Sequence, residues 1–146
     1  MSTLCYFLLV FPVMLQKLLN LRSRNIQNHE IGLKRMKEMV KESINILKNN
    51  APINEFGELL HEGWMHKRDL SSQVSTETVD NIYDIARSSG AIGGKLLGAG
   101  GGGFILLFSP IEYQPKIFEK LNHLIHVPFE FQNSGSRIVL YQPDGL

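Results

Sequence analysis

From Asn28 to about Lys48, apolar residues at Leu33, Met36, Val40, Ile44 and Leu47 recur every three or four positions, the spacing of one helix face. Lys, Glu and Asn fill the other face. Asn49-Asn50-Ala51-Pro52 interrupts this pattern, and Pro52 suits the first turn of a second helix, where its missing N–H is harmless. That helix carries Ile53, Phe56, Leu60 and Trp64 on one stripe and fades near Lys67-Arg68-Asp69, ahead of the polar loop at 70–75. Ser75 is the expected N-cap of a third helix whose buried side is Val79, Ile82, Tyr83 and Ala86. Ser88-Ser89-Gly90 stops it.

After Gly90 the period changes. Lys95 to Leu97 and Phe104 to Phe108 read as strands, the second closed by Pro110. Tyr113 to Leu124 predicts a short amphipathic helix with Ile117, Phe118, Leu121 and Leu124 inward. Val127 to Phe131 and Arg137 to Tyr141 then read as two further strands across the turn Asn133-Ser134-Gly135-Ser136. Three helices, two strands, a helix and two strands imply an α+β fold, a sandwich of helices on one face of a small four-stranded antiparallel sheet.

Leu4 to Leu15 stands apart because it is almost wholly apolar. It lacks a basic leader and a small-residue cleavage site, is too short to span a bilayer, and Pro12 would break a helix through it. The chain as a whole, 146 residues with 43% hydrophobic and 20% charged content, suffices for one domain with its own core. A formal net charge of +1, with bases dispersed among acids as in Lys34-Arg35-Met36-Lys37-Glu38, argues against nucleic-acid and membrane partners. The single cysteine, Cys5, rules out an internal disulfide and any multi-cysteine metal site, and a cytoplasmic location is expected.

The candidate chemistry lies between the two strands after Gly90. Gly93-Gly94-Lys95-Leu96-Leu97-Gly98-Ala99-Gly100-Gly101-Gly102-Gly103-Phe104 joins them through a loop with almost no side chains. Bare backbone permits close approach, and successive N–H groups can form a concave anion site, so phosphate is the first ligand to consider. A tight turn between buried strands is the alternative, but each glycine costs roughly 0.5–1 kcal/mol relative to alanine in lost chain entropy.

This run, with its lysine, its Gly-Ala step and the apolar strand that follows, resembles the third signature motif of the GHMP small-molecule kinases. The stretch from Leu59-Leu60-His61-Glu62 through Trp64, Lys67-Arg68, Leu70-Ser71, Val74-Ser75, Ile82-Tyr83 and Ala86 to Gly90-Ala91-Ile92-Gly93-Gly94 resembles the sugar-kinase branch. Within that branch the heptose 7-phosphate kinases are most similar, with the C-terminal region of the fucokinases near, and the resemblance covers residues 28 to 143. It implies the ferredoxin-like C-terminal domain of an ATP- and Mg2+-dependent kinase that phosphorylates the anomeric hydroxyl of a sugar phosphate, D-glycero-D-manno-heptose 7-phosphate. It also implies that Gly98, Ala99, Gly100, Gly101, Gly102 and Gly103 line the nucleotide-phosphate site.

The Gly-Leu-Gly-Ser-Ser-like phosphate loop of such kinases has no counterpart in this sequence. The catalytic groups are therefore expected in a separate N-terminal half, and neither ATP nor Mg2+ is expected to bind here independently. Residues 1–27 are expected to be a divergent leader, read out of the ancestral frame, and 28–146 the kinase domain. Turnover by a split kinase, and an inactive remnant that acts as a binding or dimerisation module, both remain open.

Phosphoryl transfer depends on positioning and charge stabilisation, so cations near the loop are the next candidates. Lys95 could reach an anion as a mobile point charge, or point to solvent from its strand. Lys67 and Arg68 suit a sugar phosphate, although cations at a helix end are already favoured by the macrodipole. His61 and Glu62 are adjacent and His66 lies five positions beyond His61, not at the four-residue spacing of a helical His pair, so a metal site is not expected, and Trp64 reads as core. Cys5, Ser71 and Ser72 have no context for a nucleophile.

Overall fold

The computed structural model describes the backbone of residues 4–9 and residues 30–49, 51–70, 74–98, 103–129, 131 and 135. Strand β1 is Leu4–Leu9, followed by helices α1 (Glu30–Lys48), α2 (Ile53–Asp69) and α3 (Glu77–Ser88). Strands β2 (Gly93–Leu97) and β3 (Gly103–Phe108) precede a 3-10 turn at Ile111–Tyr113, helix α4 (Gln114–Lys120) and strand β4 (Ile125–Val127). The four strands form one sheet in the order β2-β3-β1-β4, and every pairing is antiparallel. The α+β class expected from the element order is the observed one. No helix among the described residues is long and apolar enough to cross a membrane.

The described part of the apolar run near the N-terminus, Leu4–Leu9, is a sheet strand. Leu4 pairs with Phe108 and Leu9 with Gly103 on one side, while Tyr6 pairs with Val127 on the other. A continuous apolar run suits an interior strand, but its partners lie far along the chain and no local spacing identifies them. The expected strand at 127–131 is shorter and earlier, ending at Val127 where β1 ceases to pair, and Arg137–Tyr141 lies outside the described residues. The helix expected over 113–124 is a 3-10 turn running into α4, which ends at Lys120 with Leu121 as its C-cap.

The core is one cluster. Trp64 from α2, Val79, Ile82, Tyr83 and Ala86 from α3, Leu96, Ile105 and Leu107 from β2 and β3, Ile117 from α4 and Leu121 just after it are all buried in it. The stripe read for α3 is its observed buried face, but the N-cap is Thr76, whose hydroxyl accepts from the Val79 amide at 3.3 Å. Ser75 instead donates to the Asp80 carboxylate at 2.6 Å. That correction follows from geometry: a cap must accept from the second or third residue of the helix, and Thr76 is the residue at that distance.

Helix α1 departs further from its reading. Met39 is its one buried residue among those described, while Val40, Ile44 and Leu47 are 58%, 45% and 59% exposed. The stripe is present, but α2 meets α1 along Gly32, Arg35 and Met39 instead: a Cβ at Gly32 would lie 3.5 Å from His66 Nδ1 and one at Gly63 3.3 Å from Met39 Cε. Arg35 holds the two helices together by donating two hydrogen bonds to Glu62, at 2.6 and 2.9 Å, and by pairing with Glu42. Both carboxyls are held below the usual range, first by that hydrogen bonding.

Candidate functional site

Helix α2 lies directly on β2. A Cβ at Gly93 would overlap the Gly57 carbonyl oxygen and lie 2.9 Å from its carbon and 3.0 Å from the His61 amide nitrogen. Glycine at 93 lets helix and strand backbones meet, and the C-terminal turn of α2 lies beside the end of β2, where Lys67 bonds the Leu96 carbonyl. There the glycine hairpin begins.

Of the loop residues expected at the phosphate site, Gly98 and Gly103 are described, and Ala99, Gly100, Gly101 and Gly102 lie outside the described residues. Gly98 has φ +94° and Gly103 φ +121°, both in the left-handed region that favours glycine. The chain thus leaves β2 and joins β3 through backbone angles that a β-carbon would strain. No neighbour crowds Gly98 within 4 Å, so its glycine is required by conformation alone.

Lys67 reaches that hairpin from the last turn of α2. Its ammonium donates to the Leu96 carbonyl at 3.1 Å and to the Gly98 carbonyl at 3.5 Å, and it lies 5.8 Å from the centroid of the Trp64 ring. Two carbonyls at the strand end therefore share a cation. Spacing held part of this signal, because Trp64 and Lys67 are three residues apart and share a helix face.

Arg68, the neighbouring cation, is turned elsewhere. Its guanidinium pairs with Asp80 at 3.0 Å and ties the end of α2 to the start of α3. Lys95 lies on β2 and, with Lys67, lines a groove between α1 and α2. So Lys67 and Lys95 are brought together, while Arg68 is held in the α2–α3 contact.

The groove is a feature that periodicity did not disclose. It encloses about 300 Å³ and its walls include Met36 and Met39 of α1 and Phe56 and Leu60 of α2, with Trp64 beside them. Trp64 is 1% exposed, as a core residue should be, yet its indole N–H finds no hydrogen-bond partner among the described residues. Residues three and four apart on two helices had marked core positions, and only the incomplete cover of α1 makes them a groove wall.

The histidines serve the interior and the surface separately. His61 Nδ1 lies 2.8 Å from the Tyr83 hydroxyl, and the rings are stacked, with centroids 5.9 Å apart. Burial, then Arg87, pushes the His61 imidazole below its usual range, and burial pushes the Tyr83 phenol up to about 12. His66 faces Glu62 at 3.7 Å, and no metal-ligand cluster of three occurs among the described residues.

Comparison with known proteins agrees with this architecture. The family model described as GHMP kinases C terminal matches residues 50–126, and the chain belongs to that family as its C-terminal domain. It is 34% identical over 78 residues to the bifunctional fucokinase/GDP-fucose pyrophosphorylase of Arabidopsis thaliana, an alignment covering 53% of this chain and 7% of that protein. Over 58 residues it is 36% identical to the D-glycero-alpha-D-manno-heptose 7-phosphate kinase of Campylobacter jejuni, covering 40% of this chain and 17% of that one. Its fold matches the crystal structure of the Methanococcus jannaschii mevalonate kinase with TM-score 0.70 and 25% identity, over 85% of this chain and 37% of that chain. The chain thus spans a small part of the length of each relative.

Proposed function

We propose that this domain serves an ATP-dependent sugar kinase, in which the β2–β3 hairpin lines the nucleotide-phosphate site and the acceptor is the anomeric hydroxyl of a sugar phosphate. The observation that carries the reading is the pair of left-handed glycines, Gly98 and Gly103, bracketing Ala99–Gly102 with Lys67 anchored on the first of them. Such a segment offers backbone N–H groups to a phosphate chain without side chains in the way. Lys67 acts as a positioning residue, and Lys95 supplies positive charge on the adjoining strand. The similarity to heptose 7-phosphate kinase makes D-glycero-D-manno-heptose 7-phosphate the first acceptor to test. The nucleotide would bring Mg2+ with it, and the γ-phosphoryl transfer itself would use groups outside the described residues.

The test is ADP release in the presence of Mg-ATP and heptose 7-phosphate, fucose or mevalonate. The chain is assayed alone and with the part of the Campylobacter jejuni enzyme to which it does not align. Release that requires both parts and prefers heptose 7-phosphate is the expected result. Amide shifts confined to Gly98–Gly103 when Mg-ATP is added would accompany it. No release with any acceptor, together with unmoved glycine amides, would defeat the proposal.

A second reading, a docking module without turnover, is favoured by one observation: Val40, Ile44 and Leu47 leave an apolar stripe of α1 in solvent. Exposed apolar patches of this kind mark association surfaces. Light scattering that finds a monomer over a wide concentration range, without binding of an apolar dye, would remove it.

A further inference from the structure

β2 is an edge strand, so one row of its backbone groups has no neighbouring strand. Lys67 donates to the Leu96 carbonyl and, two residues on, to the Gly98 carbonyl. A peptide unit is planar and trans, so its C=O and N–H point in opposite directions. The Gly98 carbonyl, drawn toward α2, therefore turns the N–H of the same peptide away from α2. Orientation decides the chemistry of such a segment, because N–H groups attract an anion and carbonyls repel it.

Packing does little to fix that peptide. A Cβ at Gly98 would meet no atom within 4 Å, and glycine passes between backbone conformations that other residues avoid. Lys67, by contrast, comes from a firm support. Trp64, one turn back and buried, has its ring centroid 5.8 Å from the ammonium, and Arg68 ties the same turn of α2 to Asp80. Carbonyl oxygens and an aromatic face are groups that attract a monovalent cation.

We propose that Lys67 acts as a tethered monovalent cation that turns the Leu96 and Gly98 carbonyls toward α2, and so sets the anion-binding form of the glycine hairpin without touching the anion. The identity of the anion rests on the phosphate site proposed above; the hold on the carbonyls does not. Contact with the phosphate is then left to the backbone, and Lys67 is a positioning residue. Without its ammonium the Gly98 peptide is free to rotate, and a carbonyl competes for the place of an N–H.

The full chain is compared with its Lys67→Ala and Lys67→Met variants by nuclear magnetic resonance. Alanine keeps only the Cβ, so propylammonium replaces the missing carbons and nitrogen; methionine leaves an uncharged stem in their place. Both substitutions should move the carbonyl-carbon resonances of Leu96 and Gly98 upfield, as loss of a hydrogen bond does, with the thermal melt preserved. Propylammonium should return them saturably in Lys67→Ala and not in Lys67→Met, whereas propanol and tetramethylammonium should return them in neither. Tripolyphosphate is the probe for the anion site. It should bind Lys67→Ala about tenfold more weakly than the unsubstituted chain, and propylammonium should restore that affinity.

Carbonyl resonances unmoved by either substitution, or returned equally by propanol, would overturn the proposal. So would a loss of tripolyphosphate affinity with the carbonyls unmoved, which is the mark of direct contact between Lys67 and the anion. Should Lys67→Ala not fold, Lys67→Met carries the carbonyl comparison. Carbonyls that move and return in Lys67→Ala, with tripolyphosphate shifting no hairpin amide of the unsubstituted chain, would uphold the tethered cation and defeat the phosphate site.

Discussion

Replacing Gly93 with alanine tests whether α2 rests on β2 backbone to backbone. The added methyl would overlap the Gly57 carbonyl oxygen and sit 2.9 Å from the Gly57 carbonyl carbon. Neither atom can rotate aside, because both belong to the helix backbone, so the helix must lift from the strand. Overpacking of this kind costs about 1–3 kcal/mol, and the immobility of the neighbours places Gly93→Ala near the upper end. For a domain of this size that is a melting shift of about 10 °C.

Two further substitutions separate the causes. Gly98→Ala meets no atom within 4 Å and suffers only the strain of φ +94°, roughly 1–2 kcal/mol. Gly57→Ala meets Phe108 Cδ1 at 2.6 Å and Ile92 Cγ2 at 2.9 Å, but these are side-chain atoms that can shift. It also gains about 1 kcal/mol of helix propensity. The expected order of destabilisation is Gly93 first, Gly98 second and Gly57 last, read by far-UV circular dichroism melts and urea midpoints at unchanged slope. A Gly93→Ala variant that melts with or above Gly98→Ala would show that the helix does not sit on the strand as described.

Other expectations follow from the same contacts. Because the fold holds His61 below its usual range, the unfolded chain takes up a proton near pH 6.5 that the native chain resists, so stability is full above that pH and falls as the pH drops through it. Urea midpoints between about pH 7.5 and pH 5 should show this slope, and His61→Gln should flatten it; an unchanged slope would assign it to other groups. The Arg68–Asp80 pair, about one-third exposed on each side, should give a coupling of about 0.5–1 kcal/mol in a double-mutant cycle of Arg68→Ala and Asp80→Ala. Thr76→Ala should cost about 1 kcal/mol through the lost cap on Val79, whereas Thr76→Ser should restore it. Equal stability of the two Thr76 variants would contradict that assignment.

What sequence by itself determined was local. Period and punctuation located α1, α2 and α3, the strands on either side of the glycine run and the buried face of α3, because each follows from side-chain spacing along one element. The glycine run with its flanking residues was likewise enough to place the chain among the GHMP kinases, as residues 50–126 now do by their family match. Tertiary structure alone decided which faces are covered and which cations meet.

Leu4–Leu9 became an interior strand through Phe108 and Val127, partners that no nearby pattern names. Val40, Ile44 and Leu47 satisfy helix periodicity yet stay largely exposed, because burial depends on what packs opposite and α2 meets α1 along Gly32, Arg35 and Met39 instead. Lys67 and Arg68 are adjacent and chemically alike, and helix geometry turns them about 100° apart, one onto the glycine hairpin and the other onto Asp80. A charge in a sequence has no direction; the helix that carries it supplies one.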